Sequence, residues 1–292
     1  MNQQDEYTLD KARVRASFDR AARSYDAAAV LQKEVRSRML ERLDYTRLAP
    51  RRILDAGTGT GHAAHALAER YKDSHVVALD IALGMLRIGA GADSWWRRLF
   101  PGRRSAVCAD IESLPLQSAS MDLVWSNLAI QWCNDLDLAF GEMARVLRPE
   151  GLLMFSTFGP DTLKELREAS AADPEHVHVS RFIDMHDIGD ALVRAGFSAP
   201  VMDVEHFVLT YDDVLGVMRD LKAIGARNAA HGRPRGLEGK GFLARLTERY
   251  ERFRDQGKLP ATFEVVYGHA WKTETAATTL PDGASVIKLH RK

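Results

Sequence analysis

Val14, Phe18, Ala22 and Tyr25 recur at intervals of three or four residues, and Val30, Leu31, Val35 and Met39 form a second such stripe. Apolar positions at that period share one face of a helix, which predicts two helices between Leu9 and Leu43. From Arg52 the pattern shortens. Residues 52–56 read as a buried strand, the glycines at 57, 59 and 61 as a turn, and residues 63–70 as a helix. The alternation continues through strand 75–79 closing at Asp80, helix 82–88, strand 106–109 closing at Asp110, strand 121–125 closing at Ser126 and Asn127, helix 136–147 and strand 152–158. Strands alternating with helices predict an α/β domain on a doubly wound, mostly parallel sheet with right-handed crossovers.

Beyond Phe158 the spacing turns mostly helical, over 161–171, 186–195, 212–224 and 237–254, with strands at 205–210 and 262–271. We expect these strands to join the same sheet. The expected organisation is an N-terminal helical cap at 1–48 and a main domain at 49–292, with a helical insert at about 212–258 over the crevice. Ligands of open α/β sheets bind beyond the carboxyl ends of the strands. Here those ends are Asp55, Asp80, Asp110 and Asn127, so four polar residues converge on one crevice.

Composition removes several classes of function. Forty Lys/Arg balance 40 Asp/Glu, so no overall field gathers nucleic acid or an anionic membrane. No apolar stretch is long enough to span a bilayer, and the first residues are polar and acidic, unlike a secretory leader; a cytoplasmic monomer is expected. Cys108 and Cys133 each lie in an apolar run without a CxxC or Cys/His cluster, and both are expected to be reduced core residues. His176 and His178 lack a third ligand at a suitable spacing, so no metal is expected. Charge is uneven from Arg219 to Lys258, where eleven Lys/Arg face five Asp/Glu.

The run from Asp55 to Gly61 places Gly57, Gly59 and Gly61 at alternate positions, with Thr58 between them. Backbone can there approach a ligand that any side chain would repel. A dinucleotide fingerprint needs its third glycine at position 62, which is His62. S-adenosyl-L-methionine (SAM) has no pyrophosphate, and its methionyl carboxylate and amine suit turn amides beside a carboxylate such as Asp55. Asp80, followed by Ile81, is placed to accept both ribose hydroxyls. Asp110 can take the adenine amino proton while Ile111 packs on the ring. The plainer reading makes the glycines a tight connection and the aspartates helix caps; a glycine turn coinciding with two acidic strand ends favours SAM.

At these residues the chain resembles class I SAM-dependent methyltransferases, whose fold is Rossmann-like, and more narrowly the malonyl-[acyl-carrier protein] O-methyltransferases of biotin synthesis. The likeness is carried by Phe18-Asp-Arg-Ala-Ala-Arg-Ser-Tyr25 with Leu31-Gln32, by Leu54-Asp-Ala-Gly-Thr-Gly-Thr-Gly61, and by Ser126-Asn-Leu-Ala-Ile-Gln-Trp132. Phe182-Ile-Asp-Met-His-Asp-Ile-Gly-Asp190 and Glu264-Val-Val-Tyr-Gly-His-Ala-Trp271 are the discriminating segments. The segment 89–104, with Trp95 and Trp96, has no counterpart in this likeness. The resemblance implies methyl transfer to the free carboxyl of a malonyl thioester, held on acyl-carrier protein or as malonyl-CoA. The product of the donor is S-adenosyl-L-homocysteine (SAH), and no metal takes part. The methyl ester hides the charge, so chain-extending enzymes can lengthen the acid.

An ionised carboxylate needs no general base, so positioning and exclusion of water must supply most of the rate. Tyr25 is the candidate hydroxyl near the reacting methyl and carboxylate, though it also completes an apolar stripe. Gln32 is the candidate contact to the methionyl end, Asn127 a further contact to SAM, and Trp132 either a pocket wall or a core residue. Arg181 is the candidate cation for the malonyl carboxylate. Arg227, Arg233, Arg235 and Lys240 flank a glycine-containing loop and suit an acidic carrier protein, or else simply solvate helix faces. His186 between Asp184 and Asp187 looks like an acid/base cluster, but a helix N-cap is the simpler reading. Phe242, Leu243, Leu246, Tyr250 and Phe253 read as a core stripe. Two other functions remain open: methyl transfer to a free small acid resembling aconitate, and a SAM-binding assembly factor for a respiratory complex.

Overall fold

A computed structural model describes residues 8–92, 103–171, 182–226 and 240–273. Arg181, Arg227, Arg233 and Arg235, like Trp95, Trp96, His176 and His178, lie outside them. Among the described residues one sheet contains β1 Arg52–Ala56, β2 His75–Asp80, β3 Arg104–Cys108, β4 Met121–Asn127, β5 Leu147–Phe158, β6 Phe197–Tyr211 and β7 Leu259–Lys272, in the order β3-β2-β1-β4-β5-β7-β6. The first five strands run parallel, and β7 inserts antiparallel between β5 and β6. The Rossmann-like α/β expectation holds, and the last strands do complete the same sheet.

Successive residues of a strand point to opposite faces. On β1, Ile53 therefore joins the hydrophobic core of one face while Leu54 and Ala56 join that of the other. The same pleat sends Trp125 to the first core and Phe155 to the second, both with no exposed surface. The edge strand β3 has a neighbour on one side only, which corrects the reading of Cys108: it is exposed, not a core residue. Cys133 is half-buried, and both thiols are free.

Three cap helices form where two were expected: α1 Lys11–Ala21, α2 Tyr25–Ala28 and α3 Val30–Arg42. Asp10 caps α1, its carboxylate accepting from the amides of Ala12 and Arg13. After α1 the chain turns, because the Ser24 hydroxyl donates to the Ala21 carbonyl at 3.1 Å in place of a continuing helical bond. Ala29, with ψ of 46°, separates α2 from α3. The described residues of the insert reach the cap. Its helix Val214–Ala223 ends against the cap, where the Ser24 hydroxyl donates to the Ala223 carbonyl at 3.3 Å and Gly225 abuts Phe18. Its described residues thus buttress the cover of the crevice, and none of them lines the cleft.

Asp184 is the N-cap of helix Met185–Arg194, accepting from the His186 amide at 2.8 Å, while the His186 side chain stands 86% exposed. This geometry supports capping over acid/base chemistry. Leu246 and Tyr250 are buried and Phe242 and Phe253 pack against the same core, as the stripe predicts. Among the described residues no helix is long and apolar enough to cross a membrane.

Candidate active site

The parallel strands end beside a cleft of about 610 Å³, counted out to its open mouth. Its floor is the glycine turn. Gly57, Gly59 and Gly61 have φ of 81°, 56° and 84°, a left-handed backbone that side chains rarely tolerate. A Cβ on Gly57 would lie 2.2 Å from that of Ala129, whereas one on Gly59 would meet Tyr25 Cε1 alone, at 3.8 Å. Gly57 is thus bare because protein packs on it, and Gly59 because the cleft lies above it. Gly61 caps the helix His62–Arg70 and its carbonyl accepts from the His65 amide at 3.0 Å.

Asp55 is the last residue but one of β1, with 1% exposure. One of its carboxylate oxygens accepts from the Thr58 hydroxyl at 2.5 Å, and the other, Oδ1, has no partner among the described residues. Burial pushes its pKa up to about 7 against the Thr58 hydrogen bond and the Ala64 amide, which lower it. Asp80, also buried, rises to about 6 for the same reason, opposed by the amides of Ala82 and Gly59, each 2.8 Å away. A buried carboxylate oxygen without a donor is costly, and this one, on a side chain that bonds Thr58 of the glycine turn, is an acceptor open to a cationic or N–H donor. The residues therefore fit SAM: an unsatisfied acceptor for its amine, a bare glycine floor, and an apolar gallery for its adenosine.

The gallery contains Ile81 and Ile111 as expected, with Asn127 and Trp132 also on the wall. Trp132 packs edge-on against Phe18 with centroids 5.2 Å apart, joining sheet to cap. Asp110 lines the cleft, but the Lys11 ammonium occupies its Oδ1 at 3.0 Å and also bridges to Glu112. Asn127 donates to the Gln32 main-chain carbonyl at 3.2 Å and accepts from the Ser156 hydroxyl at 3.1 Å. Gln32 thus meets the site through its backbone. Tyr25 lines the cleft over Gly59, and burial together with the fields of Asp80 and Asp26 pushes its phenol pKa well up, leaving it protonated. Lys240 opens the helix Lys240–Tyr250.

A family model described as a methyltransferase domain matches residues 54–155. A malonyl-[acyl-carrier protein] O-methyltransferase of Methylovorus sp. is 70% identical over 98% of this chain and 97% of its own length. The chain belongs to the malonyl-[acyl-carrier protein] O-methyltransferase family. Among solved structures it is similar in fold to the YcgJ protein of Bacillus subtilis, with a TM-score of 0.58 and 16% identity over 81% of this chain and 98% of that one. It is likewise similar to a Haemonchus contortus phosphoethanolamine N-methyltransferase solved with SAM, with a TM-score of 0.55 and 16% identity over 87% of this chain and 57% of that one.

In this member of the family, sequence reasoning missed the residues that clasp the cap onto the sheet. Asp19 accepts from the Gly84 amide at 2.6 Å, and Asp26 accepts from the Thr60 hydroxyl at 2.5 Å with the His62 ring 3.3 Å away. Leu9 and Asn134 exchange two bonds of 2.7 and 3.0 Å, between the Leu9 main chain and the Asn134 side chain. These contacts join residues far apart in sequence, so no local period announces them. Asp19 and Asp26 lie in or next to the Phe18–Tyr25 motif, which was the available signal.

Proposed function

We propose that this protein transfers the methyl group of SAM to the free carboxyl of a malonyl thioester carried on acyl-carrier protein, forming the malonyl methyl ester and SAH. The observation carrying this is the bare Gly59 on the floor of a cleft covered by Tyr25, with the unsatisfied Asp55 Oδ1 buried on the adjoining strand, in a chain whose 70% identical relative bears that name. When bound, the donor supplies an electrophilic methyl on sulfonium. A carboxylate oxygen bonds to that carbon as the carbon–sulfur bond breaks, and the pair stays on sulfur; the two opposite charges vanish together. Loss of charge is favoured where water is excluded. The protein's part is then to hold the two reactants in line and dry. The cap does the latter, its Phe18 and Tyr25 closing over the glycine turn. Tyr25, kept protonated, is a hydrogen-bond donor to the acceptor carboxylate that does not compete as a nucleophile.

The deciding measurement compares malonyl-carrier protein, malonyl-CoA and free malonate as methyl acceptors in one assay. Transfer confined to free malonate would reject the thioester reading. Arg227, Arg233, Arg235 and Lys240 are proposed to dock the acidic carrier. In the same assay Arg233→Glu with Arg235→Glu should raise KM for the carrier-bound substrate about tenfold and leave malonyl-CoA unaffected; an equal effect on both sources would reject the patch. Tyr25→Phe should lower turnover roughly tenfold or more with SAH affinity within about twofold, because the ring remains and only the donor is lost. Parent-like turnover would remove Tyr25 from the mechanism.

A further inference from the structure

The cap helices α1 and α3 are held down in different ways. α3 buries Leu31, Val35 and Met39 in the main core of one sheet face. Among the described residues α1 contributes to neither main core. Its Val14 joins Leu9 in one small cluster with Phe18 and Trp132, and Phe18 also touches a second around Ala82 and Met85. A segment with few buried apolar contacts opens locally at low cost, so polar contacts must hold α1 in place. Asp19 takes the Gly84 amide toward its far end, and the densest set lies at its first turn.

There the Lys11 ammonium bridges Asp110, at 3.0 Å, and Glu112, so one cation of the cap joins two carboxylates that follow β3. Glu112 is a hub. Its Oε1 accepts from the amides of Asn134 and Asp135 at 2.9 and 2.7 Å, and the Asn134 side chain in turn holds the Leu9 main chain. The tip of α1 is thereby tied to both walls of the cleft, the one with Asp110 and Ile111 and the one with Trp132 and Cys133. Lys11, Val14 and Phe18 of α1 form the cap side of that cleft, so a ligand between the glycine floor and the cap passes in or out when α1 lifts. The side chains of Lys11, Asp110 and Glu112 are only 25%, 28% and 11% exposed, which screens their attraction less than that of a surface pair. We propose that Lys11 is the latch of the cap: its ion pairs hold α1 across the cleft, and the methyl donor and its spent product exchange when they part. This rests on the methyl-donor reading above and adds to it the step that admits the donor.

The two cysteines supply a reporter and a control. Cys133 lines the cleft and burial pushes its thiol up to about 12, whereas Cys108 stands exposed on β3. The thiolate is the reacting form, so N-ethylmaleimide should modify Cys108 quickly and Cys133 only through openings of the cap, each rate being read from peptide masses. In Lys11→Met, Cys133 labelling and the release of SAH, followed by tryptophan fluorescence in stopped flow, should each speed up about tenfold, the effect of losing one charge-assisted bond. Cys108 should label as in the parent, and Lys11→Arg should restore most of the parental rates. The Lys11 charge favours the Cys133 thiolate, so losing that charge without any opening would slow the labelling instead. Slower or unchanged Cys133 labelling would therefore overturn the latch. So would equal acceleration at both cysteines, which reports general loosening, or faster labelling with SAH release unchanged. A parent that binds no SAH, while Cys133 still reacts faster in Lys11→Met, would leave α1 latched by Lys11 and remove the methyl-donor reading.

Discussion

Asp55→Asn should weaken SAH binding by about 100-fold, and it should make the ligand-free protein harder to unfold at pH 8 than the parent. The first effect follows from removing a buried anion that has an unsatisfied oxygen next to the glycine turn in sequence; a charged partner for such an oxygen contributes about 2–3 kcal/mol. The second follows from linkage. The Asp55 pKa is about 7 in the folded protein against 3.8 as the ordinary value, because burial disfavours the charged form. A carboxyl raised in this way favours folding at acid pH, where it is protonated. That advantage is lost as pH rises through about 7, where the buried charge costs on the order of a few kcal/mol. Asparagine is neutral throughout, so it escapes the loss.

Melting curves of the ligand-free parent should therefore fall between about pH 4 and pH 7, and those of the variant should fall less. A smaller slope remains in the variant from Asp80, whose pKa rises to about 6 for the same reason. Binding to the parent should show the opposite trend. From about pH 5.5 to pH 7, SAH affinity should increase as Asp55 ionises to meet the ammonium, and the variant should lack that increase. An Asp55→Asn protein that binds SAH like the parent at pH 7 would detach Asp55 from the donor.

Gly57→Ala should lower the melting temperature by roughly 5–15 °C, whereas Gly59→Ala should lower it much less and yet abolish measurable SAH binding. Both positions have positive φ, 81° and 56°, which costs an alanine about 1–2 kcal/mol. At Gly57 the new methyl would also meet the Ala129 Cβ at 2.2 Å, far inside contact distance, and the β4 side of the site would have to move. Overpacking of that kind adds about 1–3 kcal/mol. At Gly59 the methyl meets nothing closer than Tyr25 at 3.8 Å, so its volume falls in the cleft and is felt by the ligand. The two glycines look alike in the motif and separate only in three dimensions. Equal melting losses for both would show that the cleft above Gly59 is not the donor's place.

Much of the frame was legible in the sequence for one reason: its signals are local. The bounds of β1 and β2 follow from short apolar runs closed by aspartate, and they form over the residues so read, Arg52–Ala56 and His75–Asp80. β6 was read as 205–210 but runs Phe197–Tyr211. It is an edge strand whose residues alternate between partial exposure and greater exposure, so apolar content stops marking it, and the register shift between Ser198 and Val201 breaks its period. β5 begins at Leu147, ahead of the expected 152, because Arg148-Pro-Glu-Gly looks like a loop and pairs with β4 only through an irregular register. Cys108 misled for a related reason: an apolar run says that a strand is present, and its exposure depends on whether a neighbour lies on both sides.

The site divides in the same way. Alternate glycines, acidic strand ends and the Phe18–Tyr25 motif are readable from neighbours in the chain, because backbone freedom, strand termini and helical stripes depend on residues within a few positions of one another. They were enough to name the donor. Which glycine has packed protein above it and which the cleft, that Asp55 keeps one oxygen without a donor among the described residues, and that Lys11 takes up Asp110 all depend on distances between residues far apart in the chain. Those distances arise when the parallel strands pair and the cap folds back over their ends. Hydrogen-bond satisfaction and steric contact belong to pairs of groups in space, and a linear pattern carries no information about a pair until the fold has brought it together.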